Sequence, residues 1–217
     1  MIWFRQRINR VYYLSINPFN LEEASIVENP VPNLGLRSLA SWYRHLTQEC
    51  PEKMGDLFES LRDVIDGFAG LKLTSEGEMT RILRIIFKRR SDREIGSKQF
   101  SLRLSEVSEG QRCLIALFII LHCAVRKDVT LCIDEPDNFI ALREIQPWVT
   151  RLCDHIERES GQCLLISHHP ELIVLLAVKH GIRFTRTSLR PVRLKPIDWS
   201  QAEGLSPSEI VARGWGD

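Results

Sequence analysis

Two adjacent carboxylates, Asp134 and Glu135, stand at the end of the apolar run VTLCI, directly before Pro136. A carboxylate that leaves water without a partner carries a large free-energy cost, so this position requires a cation, a metal ion or a reaction as compensation. At a strand end, the first acid can hold Mg²⁺, usually through water, and the second can orient or deprotonate an attacking water molecule. This chemistry suits cleavage of a phosphate ester or anhydride. The structural alternative is a strand that ends in a turn, with Asp137 and Asn138 as turn residues.

A second segment, LSEVSEGQR at 104–112, directly precedes a long apolar stretch. The free backbone amides at the start of a helix attract anions, and Gly110 would let a phosphate approach the backbone. The hydroxyl of Ser108 can donate to a phosphate oxygen. Ser108, Glu109, Gly110 and Gln111 also satisfy the capping-box pattern S-x-x-Q, which by itself indicates only that a helix begins.

A third segment, CLLISHHPEL at 163–172, ends an apolar run in Ser167, His168 and His169. A histidine at a strand end can hydrogen-bond a terminal phosphate, or titrate as an acid or base near neutral pH. For each histidine alone, a loop, capping or core role is the favoured alternative. The two histidines cannot readily chelate one metal ion from a strand, because successive side chains point to opposite faces.

Hydrophobic periodicity predicts the elements that position these residues. We predict helices at 1–10, 36–68 (a pair), 109–126, 139–159 with a break at Pro147, 170–180 and a capped helix from Ser206 to Gly214. We predict strands at 11–16, 98–104, 129–134, 162–167, 182–187 and 191–195, a hairpin with its turn at 75–77, and a loop at 20–37. Strands that alternate with helices favour a parallel sheet with right-handed crossovers. Sites in such sheets form at the carboxyl ends of strands.

The order of the three segments is a helix start, then about 20 residues to a strand ending in Asp-Glu, then about 30 to a strand ending in His. With these motifs the chain resembles the ABC-type ATPases of the SMC, RecF and OLD-like group, which are AAA-family ATPases with an ABC head. By this resemblance, Ser108 to Gln111 form the ABC signature, VTLCIDE is Walker B, and Asp137-Asn138 begin the D-loop. The same resemblance makes His168 the switch histidine.

The resemblance implies a role for each site residue. Asp134 would hold Mg²⁺, and Glu135 would be the catalytic base. In this family ATP lies between two heads, so Ser108 and Gly110 would contact a nucleotide that a partner holds. The partner would be a P-loop-bearing chain or a second head, in a homo- or heterodimer.

The implied fold class is α/β, a partial ABC-type P-loop NTPase head with a mainly parallel sheet flanked by helices. We expect three segments along the chain. Residues 1–97 would form an N-terminal lid-like region with a strand, a helical pair and a hairpin. Residues 98–198 would form half of the ATPase core, and residues 199–217 a tail with the capped helix.

One motif of the family does not occur in these 217 residues. A P-loop requires G-x-x-x-x-G-K-[ST], and the sequence contains no Gly-Lys pair; GSK at 96–98 lacks the first glycine and the register. We therefore expect the C-terminal half of a head, as a split-gene subunit, a truncated product or a remnant. The isolated chain should not hydrolyse ATP. Missing strands would leave an unpaired sheet edge and exposed apolar surface, which favour a partner.

Two other functions compete with the half-module of an ATPase. The first is a non-catalytic regulatory or interaction protein that has inherited idle motifs. The second is a metal-dependent nuclease that uses Asp134, Glu135 and Asp137 directly, since clustered acids can bind two metal ions. Against the nuclease, Asp134 and Glu135 would project to opposite faces of a continuing strand, and no further acid cluster follows at strand spacing.

Composition limits the remaining possibilities. The net charge of +1, with 44% hydrophobic and 26% charged residues, is that of an ordinary globular protein without a global attraction to nucleic acid. The basic run KRR at 88–90, with Arg84 and Arg93, could touch nucleic acid, but a solvated hairpin face is favoured. Six scattered cysteines without a C-x-x-C pair indicate free thiols, and the longest apolar run, 113–125, is shorter than a membrane span. We expect a cytoplasmic protein.

Overall fold

The computed structural model describes residues 2–89, 98–186, 188–196 and 209. By its contacts the chain divides into two compact units, Met1–Ile166 and Ser167–Asp217. The boundaries expected at 97/98 and 198/199 adjoin or fall within undescribed residues, so the three-segment division stays a prediction. The predicted tail helix and the end of the basic run, with Arg93, lie outside the described residues, apart from Glu209, which is helical.

Helices and strands follow the predicted order closely. The first unit contains helices α1 (Ile2–Ile8), α2 (Leu39–Glu49), α3 (Met54–Val64), α4 (Glu109–Ala124) and α5 (Leu142–Glu159). Its strands are β1 (Val11–Ser15), β2 (Ala24–Ser25), β3 (Phe68–Glu76), β4 (Thr80–Arg89), β5 (Lys98–Arg103), β6 (Thr130–Asp134) and β7 (Gln162–Ile166). The second unit contains α6 (Pro170–His180), β8 (Ile182–Thr185) and β9 (Arg193–Pro196), and β8 pairs with β9 in antiparallel orientation.

A three-stranded parallel sheet carries the strand that ends in the two acids. The order is β1-β6-β7, with Ser15, Asp134 and Ile166 side by side in the register. Parallel neighbours need crossover connections, and helices α4 and α5 lie on the chain before and after β6. The mixed α/β class with a parallel sheet flanked by helices is therefore confirmed.

The other strands of the first unit form an antiparallel sheet, and two sequence predictions are corrected there. β3 pairs along β4, and β2 and β5 also pair with β4. The hairpin turn lies at residues 77–79 rather than 75–77, because Glu76 still pairs with Thr80 and Gly77 supplies the left-handed backbone (φ 80°) that a tight turn requires. The predicted loop at 20–37 contains the short strand β2.

Helix α4 is the centre of the core. Its residues from Cys113 to Ala124 are all buried. Helix α5 packs on α4 with the buried stripe Ile145, Trp148, Val149 and Leu152, and the Trp148 indole donates to the Leu117 carbonyl at 2.9 Å. Each large apolar side chain buried in this way contributes about 2 kcal/mol.

The packing of α5 corrects a further prediction. Pro147 does not break the helix, which runs without interruption from Leu142 to Glu159. A proline inside a helix costs about 3 kcal/mol, because it removes a hydrogen bond and crowds the preceding turn. The buried stripe around Trp148 outweighs that cost.

Two further features follow from composition. All six cysteines lie in the described part of the chain, and no disulfide forms among them. No helix of the described ranges is both long enough and apolar enough to cross a membrane.

Candidate functional site

The acidic pair lies where the parallel sheet ends. β6 stops at Asp134, and Glu135 adopts a left-handed backbone conformation with φ 47°. The amide of Glu135 donates to the Ile166 carbonyl at 2.8 Å, so one last hydrogen bond ties the turn to β7. A left-handed conformation at a residue other than glycine is strained, and such strain clusters at functional sites. The sequence could not predict this turn, since an extended strand would simply send the two acids to opposite faces.

Each carboxylate has a defined hydrogen-bond partner. The phenol of Tyr13 donates to Asp134 Oδ2 at 2.8 Å, and the Asn138 amide donates to Glu135 Oε2 at 2.7 Å. The hydrogen bond to Asp134 is the main cause that raises the pKa of Tyr13, because it stabilises the protonated phenol. Two backbone hydrogen bonds close the loop further. The backbone amide of Asn138 donates to the Glu135 carbonyl, and the backbone amide of Ile140 donates to the Asp137 carbonyl, both at 3.2 Å.

The start of α4 is a reciprocal capping box. Ser108 Oγ accepts from the Gln111 amide, and Gln111 Oε1 accepts from the Ser108 amide, both at 3.3 Å. The helix start predicted from S-x-x-Q is therefore confirmed. The predicted contacts of Ser108, Glu109, Gly110 and Gln111 with a nucleotide stay predictions.

Gly110, at the start of α4, lies against the loop that follows the acidic pair. A Cβ atom at this position would lie 3.0 Å from the carbonyl oxygen of Phe139, so only glycine fits without a shift of the backbone. Phe139 itself has a left-handed backbone (φ 70°). Its ring packs edge-on against the ring of Phe19, with the two ring centroids 5.8 Å apart. The structure thus brings the predicted signature segment next to the loop of Asp137, and the close packing within the chain is sufficient reason for the glycine.

Arg112 is a further residue that sequence reasoning missed. Its guanidinium donates to the carbonyls of Val107 at 3.0 Å, of Pro18 at 3.4 Å and of Ser105. These contacts hold the segment before α4 against the turn after β1. An arginine directly after a predicted helix start could have been considered, but its partner Pro18 lies 94 residues away in the sequence.

His168 lies in the second unit, two residues after the end of β7. The Ser167 hydroxyl accepts from the amide of His169 at 3.0 Å, and α6 then begins at Pro170. These bonds describe a turn at the start of a helix. The predicted meeting of His168 with the acidic pair stays a prediction.

The acidic pair offers carboxylate oxygens, the type of ligand that Mg²⁺ prefers. Within the described residues, no group of three or more His, Cys, Asp or Glu side chains is arranged to hold a metal ion. Mg²⁺ is commonly bound through one or two carboxylates, with phosphate oxygens and water completing its coordination. Asp134 can supply one such carboxylate, and its binding of Mg²⁺ stays a prediction.

Comparison with known proteins identifies the family. Residues 43–174 match the family model "AAA domain, putative AbiEii toxin, Type IV TA system", and these residues include the helix α4, the acidic pair and His168. The chain belongs to this AAA family. The match supports a nucleotide-binding ATPase family. No curated protein matches the chain.

Among solved structures, this AAA-family chain is similar to the Smc head domain with a coiled coil and joint derived from Pyrococcus yayanosii. The sequence identity is 14% and the TM-score 0.48. The match covers 83% of this chain and 32% of that one, so the chain spans about a third of its length.

Proposed function

We propose that the chain is the part of an ABC-type ATPase that supplies the signature, Walker B and switch histidine, and that it acts with a P-loop from outside residues 1–217. A partner chain or a preceding segment would provide that P-loop. The observation that carries the proposal is the position of Asp134 and Glu135 at the carboxyl end of the parallel strand β6, where Tyr13 donates to Asp134 Oδ2 at 2.8 Å and Asn138 to Glu135 Oε2 at 2.7 Å. Sites of α/β sheets form at such strand ends.

Each residue has a role in this proposal. Asp134 would hold Mg²⁺, and that ion would supply positive charge to neutralise the phosphate oxygens. Glu135 accepts the proton of the attacking water, and the hydrogen bond from Asn138 orients its carboxylate. His168 hydrogen-bonds the terminal phosphate. Across the interface, Ser108 and the amides at the start of α4 contact the phosphates of a nucleotide held by the partner.

The proposal can be tested on the assembly that is purified from the source cells through a tag on this chain. We expect the assembly to contain a P-loop chain and to release phosphate from Mg-ATP, while the purified 217-residue chain alone does not. Glu135→Gln should keep the assembly but lower phosphate release at least roughly 100-fold, in line with the loss of a general base. Glu157→Gln, at an exposed position of α5, is the matched control and should retain full activity.

Three results would contradict the proposal. An assembly with a P-loop chain but no phosphate release favours a non-catalytic interaction protein. Brisk hydrolysis by the purified chain alone removes the need for an external P-loop. Cleavage of a plasmid with Mg²⁺ or Mn²⁺ in the absence of nucleotide favours the nuclease.

A further inference from the structure

Tyr13 contacts the carboxylate that the proposed function assigns to Mg²⁺. Its hydroxyl donates to Asp134 Oδ2 at 2.8 Å. In the register of β1 and β6, Tyr13 lies opposite Cys132, and Ser15 lies opposite Asp134. Tyr13 and Asp134 are therefore diagonal neighbours on one face of the sheet, within reach of a long aromatic side chain.

The surroundings of this pair favour an orienting role over a packing role. Tyr13 is 46% exposed, and on the same face Leu164 is 53% and Ile166 54% exposed. Within the described residues, Asp134 has no ion-pair partner. An exposed hydrogen bond between neutral and charged groups adds little to stability, because water can replace either partner.

The chemistry of a phenol suits a carboxylate that must also bind a cation. A lysine or arginine at position 13 would neutralise Asp134 and compete with the metal ion. A phenol instead donates one hydrogen bond without a positive charge, so it fixes the carboxylate while leaving its negative charge in place. Carboxylates that bind metal ions are commonly held by such additional hydrogen bonds.

We propose that Tyr13 is a positioning residue that holds the Asp134 carboxylate in the orientation that binds Mg²⁺. This inference rests on the metal-binding role of Asp134 in the proposed function. No motif of the family covers position 13, which lies on the neighbouring strand about 120 residues before the acid in the sequence.

The test uses the purified 217-residue chain and Mn²⁺ alone as the probe, followed by NMR. Paramagnetic Mn²⁺ should selectively broaden the amide signals around Asp134, and Asp134→Asn should abolish this local effect. Tyr13→Phe removes only the hydroxyl, and it should raise the Mn²⁺ concentration for half-maximal broadening about tenfold. Tyr12→Phe, on the opposite face of the same strand, is the matched control and should leave the titration unchanged.

A thermal melt of the same variants separates positioning from a structural role. Tyr13→Phe should melt within about a degree of the wild type, since the lost hydrogen bond is exposed. The inference is wrong if Tyr13→Phe titrates like the wild type, or if Mn²⁺ causes no local broadening around Asp134 in the wild type.

The two proposals can fail separately. If Mn²⁺ binding depends on Tyr13 but the purified assembly releases no phosphate, the ATPase proposal fails and the positioning role stands. If the assembly is active and depends on Glu135, but Tyr13→Phe leaves the Mn²⁺ titration unchanged, only the positioning role fails.

Discussion

The two faces of the parallel sheet differ sharply in their surroundings. Leu14, Leu131 and Ile133 on one face are at most 1% exposed, whereas Leu164 and Ile166 on the other are more than half exposed. Both sets belong to the same three-stranded sheet, the first to β1 and β6 and the second to β7, and successive side chains of each strand point to opposite faces. One set of strands can therefore carry the core on one face and chemistry on the other.

The open face is also the face of the candidate metal ligand. Tyr13 and Asp134 lie there with Leu164 and Ile166. Parallel sheets are normally covered on both faces, so an open apolar face beside a charged site is unusual. The comparison teaches that substitutions on the buried face should act on folding, and those on the open face on binding.

Matched leucines on neighbouring strands provide the largest test of this comparison. Leu131 on β6 is 1% exposed and Leu164 on β7 is 53% exposed. Leu131→Ala should lower the free energy of unfolding by about 3 kcal/mol, because a buried cavity remains after truncation. Leu164→Ala should lower the free energy of unfolding by less than about 1 kcal/mol. Urea denaturation of the isolated chain measures both, and equal losses would mean that the open face is covered in solution.

Much of the fold could be predicted from the sequence because its signals are local. The apolar run of α4 and the short run before Asp134 have the lengths and periods of a buried helix and a strand. Pro147 misled the prediction, because a proline signal is local whereas the Trp148 stripe that overrides it acts through packing on α4. The hairpin turn was misplaced by two residues, since the pairing of Glu76 with Thr80 depends on the partner strand.

The site was less predictable, because its geometry depends on contacts between distant segments. The candidate acids and the helix start at Ser108 followed from residue types and spacing. The hydrogen bond from Tyr13, the carbonyl contacts of Arg112 and the approach of Phe139 to Gly110 join residues from different elements. A single sequence contains no signal for such contacts between distant residues. It also contains no signal for the strained backbone at Glu135.

Lower pH should reduce the free energy of unfolding, because it favours protonation of a buried histidine. His122 on α4 is buried, with Nε2 2.9 Å from the Ser60 hydroxyl. Burial, followed by the neighbouring His155, lowers the pKa of His122 to about 4 from an ordinary 6.5. Between these values the unfolded chain binds more protons than the folded one, so the free energy of unfolding rises with pH. As the pH falls from 6.5 to 4, up to roughly 3 kcal/mol of stability should be lost.

Urea titrations at a series of pH values measure this effect. His122→Gln keeps a polar group near Ser60 but cannot be protonated, so its stability should change much less between pH 6.5 and 4. His155, whose pKa burial also lowers, would leave a residual slope in the same direction. If His122→Gln loses stability over this range as steeply as the wild type does, the pH dependence originates elsewhere.

The smallest expected effect on stability concerns the contact between Gly110, at the start of α4, and Phe139, in the loop after the acidic pair. The Cβ of alanine would lie 3.0 Å from the Phe139 carbonyl oxygen, a backbone atom in a loop that contains two left-handed residues. Gly110→Ala should therefore lower the free energy of unfolding by about 1 kcal/mol, although alanine is the better helix former. Gly55 on α3 is the matched control, since a Cβ there has no neighbour within 4 Å.

Gly55→Ala should stabilise the chain by up to about 1 kcal/mol, because only the conformational entropy of the unfolded state and the helix propensity change. The sign of the effect thus separates the two glycines more clearly than its size, and urea denaturation of both variants measures it. NMR shifts of Asp137 and Phe139 should change in Gly110→Ala alone, because only that variant displaces the loop. Stabilisation by both substitutions, with the loop signals unmoved, would show that the start of α4 and the acidic loop are not in tight contact in solution.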